Sequence, residues 1–202
     1  MLPSLTDVLF VLPALLIGLT LHEAAHALVA YKLGDPTAKN LGRLTLNPLK
    51  HLDPLGAFFL AIFGFGWAKP VPINPMHFRG NRQRGILWVS LAGPGTNMVV
   101  AIVTAVIWKI IGYQGEIINT IIQYIIHINV VLAVFNFIPV PPLDGSKILA
   151  GLLPPKYSHI IFNLEKYGFV ILLILVFTGF IGNVLDPGVA FIKELILGLV
   201  GI

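Results

Sequence analysis

Residues 20–28 read Thr-Leu-His-Glu-Ala-Ala-His-Ala-Leu, and the His22-Glu23-x-x-His26 cluster within them is the part of this chain best suited to chemistry. Four residues span a little more than one helical turn, so the two imidazoles share a face at a separation that one tetrahedral cation can bridge. Glu23 stands next to the pair. In a zinc site of this pattern the glutamate is not a ligand; it hydrogen-bonds the water at the metal and takes its proton, making a nucleophile for hydrolysis. The pattern is short and also occurs by chance in soluble helices. Here it lies in a stretch that otherwise reads as membrane-buried helix, where an uncompensated charge costs at least roughly 2.5–3.5 kcal/mol. Three ionisable residues in five positions there point to a functional metal site.

The surrounding chain has 202 residues, 56% of them hydrophobic and only 11% charged, with a mean hydropathy of +0.89. No ordinary water-soluble domain has that balance. It leaves no room for a separate soluble module, whether PDZ-type or nucleotide-binding, so residues 1–202 read as a single membrane-embedded domain with a catalytic core over about 5–150 and C-terminal helices over 158–202. The formal charge of +4 comes from 13 basic and 9 acidic residues. The basic ones gather in loops and form no stripe with interleaved aromatics, which argues against nucleic acid as a partner. With no cysteines, any metal must be held by His, Asp or Glu. Residues 1–19 lack a basic leader and a small-residue cleavage site, and read as a retained helix.

The expected fold is an all-α polytopic membrane protein with about four to five transmembrane helices, a short re-entrant segment and small membrane-associated strands. The first span covers 5–33 and carries the His-Glu cluster toward its far end. Residues 41–46 alternate apolar and polar and predict a short strand, and 69–75 is extended by its prolines. The apolar piece 54–66 is too short to cross and reads as re-entrant. Further spans are expected over 86–111, 117–138 and 160–181, with a terminal apolar helix over 189–200. His127 in the span 117–138 reads as a packing residue, and His51 and His77 as solvated loop histidines. Basic loops near 32–50 and 69–84 mark the cytoplasmic side, which puts His22, His26 and Asp144 in the cytoplasmic half of a multi-pass protein of the cell (plasma) membrane.

Two histidines leave a catalytic zinc site short of its usual third protein ligand. Asp144 is the best candidate, because the topology returns it to the same depth on irregular backbone beside Pro139, Pro141 and Pro142. Its alternative is a plain N-cap for the helix starting near Ser146.

At this point three motifs stand in order: His22-Glu23-Ala24-Ala25-His26, then Gly93-Pro94-Gly95-Thr96-Asn97, then Asn136-Phe137-Ile138-Pro139-Val140-Pro141-Pro142-Leu143-Asp144-Gly145. Together they resemble the site-2 protease family of intramembrane zinc metalloproteases, in its compact prokaryotic form without a PDZ domain, over roughly residues 8–150. The resemblance implies regulated intramembrane proteolysis, the hydrolysis of peptide bonds within or next to a transmembrane segment of a protein or peptide substrate in the lipid bilayer. It also implies one Zn2+ on His22, His26 and Asp144, with Glu23 as general base and acid. Asn136 matches a family asparagine that binds substrate or stabilises the oxyanion, and Asn97 matches a second one of less defined, substrate-binding character. Homo-oligomerisation is left open. The competing function is a zinc-binding membrane transporter or channel without proteolytic activity. Against it stand the absence of internal repeats and the presence of Glu23. A silent scaffold is disfavoured by the intact motif.

Overall fold

The computed structural model describes residues 5–63 and 66–201. The described residues form α-helices joined by turns: α1 (Leu5–Lys32), α2 (Thr37–Asn40), α3 (Pro54–Phe63), α4 (Arg82–Ile111), α5 (Glu116–Phe137), α6 (Asp144–Leu152), α7 (Pro155–Glu165), α8 (Gly168–Phe177) and α9 (Phe180–Val200). Three of them, α1, α4 and α5, are long and apolar enough to cross a membrane.

The helix ends follow from local chemistry. Asn81 opens α4 by accepting the Arg84 N–H on its Oδ1 at 3.0 Å. Gly112, with φ of 68°, closes it in a conformation that L side chains avoid. After α5 the run of Pro139, Pro141 and Pro142 denies the helix its donors, and the chain restarts as α6 at Asp144. The aspartate thereby lands in a first turn, a favourable place for its charge.

α1, α4 and α5 pack through small residues, as membrane helices do when close backbone approach supplies the attraction. Ala27 and Ala30 on α1 and Ala101 and Ala105 on α4 are fully buried. Away from the site, α4, α5 and α9 share an apolar core of Ala101, Ala105, Ile122, Ile126, Val130 and Val189. The outward face of α4 leaves Val99, Val103, Ile107 and Ile110 exposed, the surface expected of a helix bathed in lipid.

Three expectations need correction. Residues 41–46 form turns and bends, not a strand: Gly42 sits at φ 67° and the Arg43 N–H turns back to Ala38 O at 2.8 Å. Residues 69–75 run extended but unladdered, since Pro70, Pro72 and Pro75 have no N–H to give. Among the described residues the only bridge is an isolated antiparallel one between Leu52 and Ala68. Lastly, 160–181 is not one straight span. It is broken between α7 and α8 and again before Gly179, whose φ is 74°, where α8 and α9 meet at 80°. The candidate spans are therefore three, or four if that bent pair counts as one crossing. The apolar piece 54–66 contributes the ten-residue α3, too short to span; residues 64 and 65 lie outside the described residues.

Candidate metal centre

α1 and α4 run side by side in a register that builds the site. His22 and His26, one turn apart on α1, face Val89, Gly93 and Asn97, which recur every fourth residue along one stripe of α4. The His26 Nδ1 donates to Val89 O at 2.7 Å. The His22 Nδ1 donates to Asn97 Oδ1, also at 2.7 Å. A proton on each Nδ1 leaves each Nε2 with a bare lone pair, the arrangement a metal-ligating histidine adopts.

Those lone pairs converge. The two Nε2 atoms are 3.0 Å apart, and each lies 3.1 Å from Asp144 Oδ2. All three residues are largely enclosed, with side-chain exposures of 6%, 7% and 12%. Asp144 Oδ2 is itself buried with no hydrogen-bond donor. Three electron-rich atoms forced together with no proton between them form an unfavourable cluster unless a cation joins them. Tetrahedral ligands about 2.0–2.1 Å from zinc stand roughly 3.3 Å from one another, close to the triangle found. The donor set therefore fits zinc. Among the described residues, His22, His26 and Asp144 are the one group of three able to hold a metal.

Gly93 explains part of this geometry. A Cβ there would come within 2.5 Å of His22 Nε2 and closer still to His26 Nε2, so any side chain would enter the space where the ligand atoms meet. The structure puts it against the ligands themselves.

Glu23 is 9% exposed and lines, with both histidines and Asp144, a cavity of about 130 Å³. Its Oε2 accepts the Val71 N–H at 2.9 Å. Val71 belongs to the extended strap 69–75, which is tied down at both ends. At one end the Arg43 guanidinium donates to Lys69 O at 2.6 Å and to Pro70 O at 3.2 Å. At the other, Asp35 accepts the Asn74 N–H at 2.7 Å and sits 3.1 Å from the His77 ring. Between them, Val71 packs with Ala27 and Ala38. Burial alone would raise the Asp35 pKa, but hydrogen bonds from Thr37, the Asn74 N–H and His77 outweigh it and hold the carboxyl below its ordinary value.

His51 was expected to be solvated and is 2% exposed. Its Nε2 donates to Thr45 O at 2.9 Å and its carbonyl accepts the Lys69 N–H at 2.8 Å, so it knits the loop that carries Arg43 to the strap. Asp35, in the turn after α1, is 0% exposed. Single loop charges give no sequence signal of burial, which is why both were missed.

Of the two asparagines matched to the family, Asn136 lines the cavity and donates one Nδ2 proton to Leu132 O at 2.9 Å. Asn97 does not reach the cavity. It is 0% exposed, and its Nδ2 donates to Gly18 O at 3.0 Å and to Asn129 Oδ1 at 2.9 Å. Its place is behind His22. Ser90, 3% exposed, and Lys147 complete the polar lining. Lys147 also pairs with Glu165 at 3.2 Å, and both line an adjoining space of about 370 Å³.

Residues 110–178 match the model of Peptidase family M50. The chain is 42% identical over 181 residues to the zinc metalloprotease-named YwhC of Bacillus subtilis, covering 86% of this chain and 82% of that one. It is 31% identical over 187 residues to a Mycolicibacterium smegmatis protein named as the zinc metalloprotease Rip2, covering 84% and 67% of the two chains. Against the Rip2 protein of Mycobacterium tuberculosis the identity is 27% over 166 residues, covering 79% and 63%. No solved structure matches. With a relative at that identity and coverage, and with the ligand triangle in place, the chain belongs to Peptidase family M50, the site-2 proteases, and is an intramembrane zinc metallopeptidase.

Proposed function

We propose that this protein cleaves peptide bonds within or next to the transmembrane segment of a membrane-protein substrate, at one zinc ion held by His22, His26 and Asp144. The observation that carries the reading is the meeting of two imidazole nitrogens and a donorless carboxylate oxygen at one point, with Glu23 lining the same cavity. Bound there, zinc supplies a Lewis acid for the scissile carbonyl and lowers the pKa of water toward ~7.

The chain supplies the remaining chemistry. Glu23 keeps Oε2 on the Val71 N–H, so Oε1 is free to take a proton from the attacking water. It returns that proton to the amine nitrogen as the C–N bond breaks. Asn136 has a second N–H beyond the one given to Leu132 O. That N–H can donate a hydrogen bond to the substrate carbonyl oxygen as negative charge builds there. A substrate helix has its own amides satisfied and must unwind before attack. The strap 69–75, with Pro70, Val71 and Ile73 on the cavity wall, offers backbone groups to the unwound segment.

Residues 1–202 act as one unit in this reading. The basic residues between Lys32 and Arg84, together with Lys147, support a site in the cytoplasmic half of a plasma-membrane protein. The test uses purified protein, zinc and a transmembrane peptide, with Glu23→Gln and a chelator as controls. Cleavage abolished in both controls supports hydrolysis; zinc flux across vesicles without cleavage supports a transporter and overturns the proposal. Within the reading, Ile73→Pro should slow cleavage of a helical substrate more than that of an extended peptide, and equal slowing rejects the strap's role.

A further inference from the structure

The polar contacts behind His22 continue one residue deeper than the ligands require. We propose that Asn129, on α5, is a positioning residue for the metal centre: it fixes the Asn97 amide and, through it, the ring orientation and tautomer of His22. This rests on the metal site described above.

Asn129 is 0% exposed, flanked on α5 by Ile128 and Val130. Its Nδ2 donates to Ile125 O at 2.8 Å, which turns its Oδ1 toward α4. That oxygen accepts one Asn97 Nδ2 proton at 2.9 Å, and Gly18 O accepts the other at 3.0 Å. With both protons committed, Asn97 must present Oδ1 to His22, and at 2.7 Å that oxygen requires the imidazole proton on Nδ1. Nε2 is then bare and aimed at the ligand triangle. Backbone carbonyls at Ile125 and Gly18 anchor the chain of contacts, so neither amide can flip without setting oxygen against oxygen. Room for this exists because residue 18 is glycine. A Cβ there would lie 3.2 Å from Asn129 Oδ1 and 2.6 Å from Leu132 Cδ1.

Helix packing alone does not call for an asparagine, since a leucine of similar volume would fill the space without burying an amide. The same helix supplies a control. Asn119 is 5% exposed and likewise bonds the carbonyl four residues earlier and a side chain on α4, donating to Gly115 O at 2.8 Å and accepting from Trp108 Nε1 at 2.8 Å. It has no link to the metal ligands.

The experiment measures zinc affinity of the purified full chain by chelator competition, and the visible absorption of the cobalt-loaded protein. Asn129→Leu should weaken zinc about tenfold, the lower end of the effect of losing the outer partner of a ligating histidine, since Asn97 itself remains, and should alter the cobalt spectrum. Asn129→Ser keeps a donor for Ile125 O but is too short to reach Asn97, so it should show the same loss should the leucine variant not fold. Asn119→Leu should lower Tm yet bind zinc within about twofold of wild type. Unchanged affinity and spectra in both Asn129 variants, or losses matched by Asn119→Leu, would overturn the proposal. A wild-type chain that binds no zinc would overturn the metal site itself, a separable result.

Discussion

The two sides of the metal centre are held by different means. Behind the histidines, His22, His26, Val89 and Asn97 all sit on long helices, joined by short contacts of 2.7 Å. In front, Glu23 is held by a proline-rich strap whose placement depends on two buried loop charges, Arg43 and Asp35. Ligand geometry thus rests on helix packing. Glu23, the proposed general base, rests on a segment that in the proposed reading also meets the substrate. A site so divided can keep its ion while the front yields to an unwinding helix.

Substitutions should separate the two sides. The largest effect is expected at Gly93→Val, whose side chain would occupy the space between the Nε2 atoms; metal analysis should find zinc well below one per chain and no cleavage. Next comes Glu23→Gln, on the front side, which should keep full zinc content while turnover falls about 10²–10⁴-fold, the range for losing a general base. Arg43→Met removes donors from Lys69 O and Pro70 O. Hydrogen bonds from a charged group contribute about 1.5–3 kcal/mol, so cleavage should fall by roughly tenfold or more, with zinc affinity unchanged. Loss of zinc in Arg43→Met would mean that front and back are not independent.

The smallest effect concerns Asp35 and acid. Its carboxyl is held below its ordinary value, so the stabilisation it gives is full above the unfolded value of about 3.9 and is lost as pH falls through the lower folded value. Wild type should therefore have a higher Tm than Asp35→Asn near pH 6, and the gap should close toward pH 3. His77 faces the same carboxylate and remains in both proteins. A gap that widened on acidification would contradict the assignment.

How much of this could be read beforehand divides along the same line. His22, Glu23, His26 and Asp144 were legible because ionisable residues in apolar helices have few uses, and the helical repeat and proline break told where they would meet. The long helices were legible from length and hydropathy. Asn97 and Asn136 were visible as motif members, but only the structure separates their positions, one behind a ligand and one in the cavity. Asn129 left a faint signal as an isolated amide two turns before Asn136. The strap's anchors left none, since Arg43, Asp35 and His51 resemble any solvated loop charge until the loop folds over them. The broken segment 160–181 misled for a related reason: continuous hydropathy does not register a turn at Gly179.

Central to the account is a single ion shared by α1 and α6. Zinc-edge X-ray absorption on the purified chain, with Asp144→Ala beside it, tests this most directly. The expected result is one zinc per wild-type chain, with two imidazole nitrogens and oxygen in its shell, and loss of tight binding in the variant. Zinc retained in Asp144→Ala with an unaltered shell would show that the aspartate and the histidines do not share an ion.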